Sequence, residues 1–128
     1  MRLRSGLLPL ITAWFWLSGC AQEPSAPLSV TLEVRFETPA QDDGAALFTI
    51  SGGPIDSVDA SGHALYTARI DANTTRVIVA GDLSAGAIAR IHIADERQAS
   101  EYSVTLHQVA ARGYSQRDLT SYALSLGR

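Results

Sequence analysis

A single thiol, that of Cys20, is the most reactive side chain in this 128-residue sequence. The thiolate form of cysteine is a nucleophile, so the residues around it decide which group it accepts. Cys20 directly follows Leu17, Ser18 and Gly19, at the end of a short apolar stretch that lies behind two arginines. Two small residues before a lone cysteine in this context indicate attachment of a lipid to the thiol.

The segment that precedes Cys20 has the parts of a secretion signal. Arg2 and Arg4 hold its start on the cytoplasmic side, and residues 7–17 form the apolar stretch. That stretch is about half of the roughly 20 residues that a membrane-spanning helix needs, and Pro9 interrupts it. We therefore expect residues 1–19 to be a cleaved signal peptide. An uncleaved signal anchor is the alternative.

The run Leu17-Ser18-Gly19-Cys20 resembles the lipobox of bacterial lipoproteins, in which an aliphatic residue and two small residues precede a cysteine. The resemblance covers about 20 residues and implies a diacylglyceryl group on the Cys20 thiol, cleavage before it and acylation of the new N terminus. Two or three acyl chains anchor a protein stably, at about 0.8 kcal/mol for each buried methylene. Inner-membrane lipoproteins place an aspartate after the cysteine, whereas Ala21 and Gln22 follow here. The implied location is the cell envelope, in the outer membrane if the cell has one.

The chain beyond the predicted cleavage site is acidic and contains no lysine. Of the ten basic residues, all arginine, Arg2 and Arg4 belong to the leader, which leaves eight against 13 acids and a formal charge of −5. Nucleic acid binding needs clustered basic side chains to neutralise phosphates. We therefore expect no nucleic acid partner and no adhesion to anionic lipid surfaces.

Groups suited to catalysis or metal binding are scattered along the sequence. His63, His92 and His107 lie in separate segments, without the spacing that places two ligands on one face. His92 and His107 fall on the solvent faces of two predicted strands, where a cross-strand pair could bind a metal, although polar surface roles are favoured. No Gly-x-Ser-x-Gly motif marks a nucleophilic serine. We expect no catalytic residue, metal or cofactor, and no enzymatic activity.

Several aspartates occur in or near predicted turns, namely Asp42, Asp43, Asp56, Asp59 and Asp71. Their spacing lacks the alternating acids and bend glycine of a calcium loop. Turn formation by aspartate is the favoured interpretation.

One polar loop, residues 112–117, has the composition of a recognition site. It carries Tyr114 between Arg112 and Arg117, two cations in an otherwise acidic domain. We predict that Tyr114 is exposed and that these three residues form a contact surface for a partner. The other aromatic residues beyond the leader align with apolar strand faces and are expected in the core: Phe36, Phe48, Tyr66, Tyr102 and Tyr122.

The elements that position these residues are short strands. Residues 20–27 contain two prolines and predict a lipidated tether that lifts the domain about 20 Å, at roughly 3 Å per residue. Residues 28–128 are enough for one domain. Residues 95–100 are polar and are expected to form a loop. Alternating or β-branched apolar residues predict strands within residues 28–36, 45–50, 55–58, 64–70, 76–80, 87–93, 102–109 and 122–126.

Seven or eight short strands without helical periodicity predict an all-β, antiparallel β-sandwich of immunoglobulin-like or cohesin-like type. A small β-barrel is the alternative. The antibody-domain version is excluded because no tryptophan or cysteine pair remains beyond the leader. The strand spacing resembles that of cohesin-type and carbohydrate-binding modules of cell-surface assemblies, which is an analogy of fold alone.

The function expected from these features is that of a non-enzymatic lipoprotein that binds a protein or other component of the cell envelope. A glycan-binding module is the first alternative and a small hydrolase the second. An exposed apolar surface or strand edge would favour protein binding. A groove lined with aromatic rings would favour glycan binding, and a cleft with His92 or His107 beside a carboxylate would favour hydrolysis.

Overall fold

The computed structural model describes residues 26–128, so the predicted signal peptide, Cys20 and most of the predicted tether lie outside the described residues. Two short 3₁₀ helices accompany the strands: η1 (Glu96–Glu101) and η2 (Leu119–Ser121). The strands are β1 (Val30–Glu37), β2 (Asp43–Ser51), β3 (Ser57–Asp59), β4 (Ala64–Asp71), β5 (Thr74–Leu83), β6 (Gly86–Ile93), β7 (Ser103–Ala111) and β8 (Ala123–Gly127).

The strands form two antiparallel sheets of four. One, the β1 sheet, has the order β3-β6-β1-β8, and the other, the β2 sheet, has the order β4-β5-β2-β7. Each of the eight predicted segments overlaps one of these strands. The predicted antiparallel β-sandwich is confirmed. Within residues 26–128 the two sheets remain separate and do not close into the small barrel that was the alternative.

The core lies between the sheets and follows from the alternation of side chains along each strand. In β1, even-numbered residues face inward, and the paired strand β6 adds Ile91 and Ile93 to the same layer. Full burial of a large apolar side chain contributes about 1.5–3 kcal/mol, so these residues dominate the stability of the sandwich. The side chains exposed by at most 3% include Leu32, Val34, Phe36, Phe48, Ile50, Val77, Val79, Ile91, Ile93 and Val109.

The strand registers define two ends of the sandwich. Val30 pairs with Ile93 at the end of β6, and the segment that follows Ser51 reaches the same place, where the backbone N–H of Asp56 donates to the His92 carbonyl over 2.9 Å. The start of β1 and the end of β2 therefore lie at one end. The chain enters there, because the Leu28 carbonyl accepts a hydrogen bond of 2.7 Å from the backbone of Glu96. We call this the tether end. The opposite end, the distal end, holds residues 38–42 and 112–118.

Two sequence predictions need correction in the fold. Tyr66, expected in the core, is 63% exposed. In β4 it is Leu65 that pairs with the fully buried Val79, which turns Tyr66 to the outer face of the sheet. Apolar residues occur at both odd and even positions of β4, so alternation did not determine the register. Residues 95–100, expected as a loop, include most of η1, where the Asp95 carboxylate caps the helix by accepting from the Arg97 backbone.

The other aromatic predictions have mixed outcomes. Phe36 and Phe48 are buried as predicted. Tyr102 and Tyr122 pack against the core but remain partly exposed, with their hydroxyls bonded to protein oxygens. None of the helices in residues 26–128 combines the length and apolar character required to cross a membrane.

Candidate functional site

The connection between β7 and η2 forms a compact loop at the distal end, residues 112–118, which we call the distal loop. Its chain folds back on the end of β7, where Ala110 and Gln116 form an isolated bridge. The backbone N–H of Arg117 donates to the Val109 carbonyl over 2.8 Å, and that of Ala111 donates to Ser115 over the same distance. The distal loop is therefore held by main-chain hydrogen bonds and covers the last residues of β7, an edge strand.

Tyr114 stands at the tip of the distal loop, with 93% of its surface exposed. The predicted exposure is confirmed. Its backbone has a φ of 71°, in the left-handed region that costs a non-glycine residue on the order of 1 kcal/mol or more. The N–H of Tyr114 donates to the Ala111 carbonyl over 2.9 Å, which closes the turn and directs the ring into solvent.

The two arginines of the distal loop are engaged within the domain. Arg112 forms an ion pair of 3.1 Å with Asp82, and it also donates to the Gln41 carbonyl. Arg117 forms ion pairs with Asp42 and Asp43, and only 28% of its side chain is exposed. The structure thus brings the predicted contact residues into one loop, but it directs both guanidinium groups to neighbouring carboxylates.

The pKa of Arg117 is raised by this setting. Partial desolvation of the guanidinium would lower it, but the negative charges of Asp42 and Asp43 and the nearby Tyr122 together outweigh that effect. Arg117 is therefore a cation that stabilises the distal end through its ion pairs with Asp42 and Asp43.

Asp43 is the one fully buried charged or polar side chain in residues 26–128, with no exposed surface. Its Oδ2 accepts from the Thr38 hydroxyl over 2.5 Å, and its Oδ1 accepts from the Tyr122 hydroxyl over 2.9 Å and from Arg117 Nε over 3.3 Å. These donors come from three different segments. A buried carboxylate with several donors joins its elements strongly, because loss of the carboxylate leaves those donors without partners.

This buried cluster was not found from the sequence, which predicted a turn role for Asp43. The carboxylate lies at a β-bulge where the register of β2 shifts between Asp43 and Ala45. Its donors are five, 74 and 79 positions away along the chain, so the cluster cannot be predicted from local spacing. Burial also raises the pKa of Tyr122, with opposing effects from the hydrogen bonds of Thr38 and Asp43.

The two strand histidines do not form a cross-strand pair. His92 lies in β6 of one sheet and His107 in β7 of the other. His92 Nδ1 lies 2.9 Å from the Thr31 hydroxyl, and His107 Nε2 lies 3.0 Å from that of Thr49. Among the described residues, no group of three or more histidine, cysteine or acidic side chains is arranged to hold a metal ion.

The tether end contains a cleft of about 530 Å³ between η1 and the β1 sheet. Its cations are already engaged, because Arg97 pairs with Asp95 over 2.9 Å and Arg128 donates to the Glu96 carbonyl over 2.9 Å. The Tyr102 hydroxyl bonds the Pro54 carbonyl, and burial together with the charge of Asp56 raises its pKa. No histidine lines this cleft. The cleft therefore does not place His92 or His107 beside a carboxylate, the arrangement that would favour hydrolysis.

A different surface carries most of the exposed apolar area: the outer side of β4 and β5. Five large hydrophobic side chains are exposed in residues 26–128, and three of them are here, at 63% for Tyr66, 50% for Ile70 and 37% for Ile78. Tyr66 lies directly opposite Ile78 in the β4–β5 register. Together with Arg76, which pairs with Ala68 on the same side, these residues form what we call the β4 face.

The position of the β4 face follows from sheet topology. β4 is an edge strand, hydrogen-bonded on one side to β5. Seven of its eight residues are exposed, and only Leu65 is half-buried. Sequence reasoning missed this surface because it placed Tyr66 in the core. The adjacent apolar pair Leu65 and Tyr66 was the available signal, since neighbouring strand residues point to opposite faces.

Comparison with known proteins places no further constraint on this surface. Neither a protein-family model, nor a curated protein, nor a solved structure matches the chain significantly.

Proposed function

We propose that this protein is a lipid-anchored bacterial lipoprotein whose β-sandwich binds another protein of the cell envelope and catalyses no reaction. The β4 face carries this proposal. It is an exposed strand edge with a directly paired tyrosine and isoleucine on its outer side. Exposed apolar residues grouped on one surface are typical of interaction sites, whereas single scattered ones are ordinary.

The composition of the β4 face favours a protein partner over a glycan. Aromatic residues and arginine are enriched at protein interfaces, and both occur here beside two isoleucines. A sugar-binding surface needs several rings in one place. Two tyrosines in residues 26–128 are more than half exposed, and they lie apart. Tyr66 lies on the outer side of the β2 sheet, and Tyr114 lies at the distal end.

A hydrolase has less support from the described residues. His92 and His107 are each bonded to a threonine hydroxyl, and neither is bonded to a carboxylate. The largest cleft at the tether end contains no histidine. A nucleophile activated by an adjacent base needs both groups within hydrogen-bond reach.

The anchor part of the proposal rests on the lipobox resemblance at Cys20. An acylated Cys20 would hold the tether end next to the bilayer, because residue 28 enters the sandwich at that end. The β4 strand would then extend from the membrane side of the domain toward the distal end. A partner on the same membrane, or one extending from it, could reach the strand edge from the side.

Affinity capture from solubilised envelope tests the proposal. The wild-type lipoprotein should retain a reproducible partner, and the double variant Tyr66→Ser, Ile78→Ser should lose most of it. The matched control is Tyr114→Ser, which removes an even more exposed tyrosine from the distal loop and should retain the partner. Thermal melting of all variants checks that they fold. Capture of no protein, together with glycan binding by the wild-type protein, would contradict the proposal.

A further inference from the structure

We infer that the β4 edge receives an extended, acidic segment of its partner as an added β-strand. This inference rests on the proposed function and specifies the chemistry of the partner. Strand addition draws its affinity from main-chain hydrogen bonds along a free sheet edge and its specificity from alternate side chains.

The edges of the two sheets differ in how well they could accept a strand. β3 and β8, at the edges of the β1 sheet, have three and five residues. β7, the other edge of the β2 sheet, is covered at its end by the bridge of Ala110 with Gln116. β4 has eight residues and pairs only with β5. It also contains no proline, and its register with β5 is regular from Ala64 to Arg69, with a shift only between Arg69 and Asp71.

The charges on β4 and β5 indicate the sign of the partner's charge. Arg69 and Arg76 form no ion pair within residues 26–128. Every other arginine in that part of the chain contacts a carboxylate or a carbonyl of the domain. Arg69 and Arg76, without an ion pair among residues 26–128, therefore lie on β4 and on its neighbour β5, Arg76 on the same side of the sheet as Tyr66 and Arg69 on the other side.

The one acid of β4 does not neutralise these cations. Asp71 lies at the end of the strand, where its Oδ1 accepts a hydrogen bond of 2.8 Å from the Asn73 backbone in the following turn. Its carboxylate thus stabilises the turn and forms no ion pair with Arg69 or Arg76.

The strand pattern specifies where the partner's carboxylates should be. Tyr66 is on the outer side of the sheet, opposite Ile78, whereas Arg69 has the opposite parity, opposite Thr75. An added strand alternates in the same way, so it should present apolar side chains beside Tyr66 and acidic ones beside Arg69. The inferred partner segment therefore alternates apolar and acidic residues.

A second copy of this protein fits the edge less well. Two β4 strands paired about a twofold axis would bring an identical set of cations to each side of the interface. Each copy would bring a further Arg69 and Arg76 to the edge but only one acid, Asp71, whose carboxylate already accepts from Asn73. The charges favour a different, acidic chain.

A direct test uses the purified, lipidated protein in detergent and a fluorescein-labelled octapeptide of alternating valine and glutamate. Fluorescence anisotropy should rise saturably with this peptide and remain flat with a valine and lysine octapeptide. The double variant Arg69→Gln, Arg76→Gln should weaken binding at least tenfold. Arg90→Gln, which removes an exposed arginine from β6 in the other sheet, is the matched control and should change affinity less than twofold.

Hydrogen exchange provides the second readout. Bound peptide should slow amide exchange in residues 64–71 and leave residues 112–118 unchanged. Equal binding of the acidic peptide by the double arginine variant, absence of peptide binding, or protection outside β4 would overturn the inference. So would a dimer in sedimentation velocity that disappears in Tyr66→Ser, Ile78→Ser. If envelope capture still depends on Tyr66 while the peptide fails, the proposed function stands and only the acidic strand is wrong.

Discussion

The hydroxyl of Tyr122 donates a hydrogen bond of 2.9 Å to the buried carboxylate of Asp43, from the residue just before β8 to the first residue of β2. β8 belongs to one sheet and β2 to the other. This bond therefore ties the two sheets together at the distal end, beside the contact of the Phe36 and Tyr122 rings, whose centroids are 5.8 Å apart.

Asp43→Ala should destabilise the domain by about 3–5 kcal/mol, because Arg117, Tyr122 and Thr38 would lose their common acceptor in a buried site. Tyr122→Phe should cost about 1 kcal/mol, the usual net value of one hydrogen bond. Urea unfolding measures both. Asp82→Ala is the control, since its carboxylate is 84% exposed and its ion pair should contribute less than about 1 kcal/mol. A cost for Asp43→Ala no larger than that of Asp82→Ala would show that the cluster does not join the sheets.

The two arginines of the distal loop should differ in their effect on stability. Arg117→Gln breaks contacts to Asp42 and to the buried Asp43, so we expect a loss of about 1–2 kcal/mol. Arg112→Gln breaks exposed contacts and should cost less than about 1 kcal/mol. Chemical unfolding of both single variants decides the order. Equal effects would mean that Arg117 is no more structural than Arg112.

Stability should fall in alkali above pH 10. The pKa values of Tyr102 and Tyr122 are raised in the folded protein, so each hydroxyl loses its proton at lower pH in the unfolded chain. The stabilisation is complete below the unfolded pKa of 10.0 and is lost as the pH rises through the higher folded value. Unfolding free energies between pH 8 and 11.5 should show this decline, and Tyr102→Phe with Tyr122→Phe should flatten it. A decline unchanged in that double variant would assign the effect to other groups.

The backbone of Tyr114 predicts a substitution that relieves strain. Glycine adopts a φ of 71° without a steric penalty, so Tyr114→Gly should be neutral or stabilise the domain by up to about 1 kcal/mol. Tyr114→Val should destabilise it, because a β-branched residue tolerates the left-handed region poorly. Melting temperatures of both variants provide the comparison. Greater stability of the valine variant would contradict the assigned strain.

The lipid anchor has its own test. Cys20→Ser should accumulate the unprocessed precursor and abolish incorporation of labelled fatty acid, because the hydroxyl does not replace the thiol in the lipobox. Labelling and gel mobility measure these effects. Persistent labelling in the serine variant would contradict the lipoprotein assignment.

The sequence predicted the strands well where one face is strictly apolar. β1 is the clearest example, since Leu32, Val34 and Phe36 alternate with polar residues and are buried as expected. It failed at β4, where apolar residues at both parities left the register open and Tyr66 was assigned to the wrong face. Because Tyr66 was assigned to the core, the β4 face on which the proposed function depends was not predicted.

The site at the distal loop was predicted only in part. The exposure of Tyr114 could be predicted from the local sequence, because a glycine and polar residues surround it. The partners of Arg112 and Arg117 come from residues 41–43 and from Asp82, which only the folded chain brings near. Long-range ion pairs cannot be inferred from the composition of the loop that contributes the cations.

The place where the chain enters the sandwich also sets its response to mechanical force. β1 receives the chain at the tether end, pairs with β6 from Val30 to Phe36 and pairs with β8 from Glu33 to Glu37. If Cys20 is acylated and β4 binds a partner, as proposed, a pull between the two would draw β1 along its own axis. The hydrogen bonds of both ladders would then bear the load together in shear instead of opening one after another. A domain held in this way should withstand tension between the proposed lipid anchor and the proposed partner on β4.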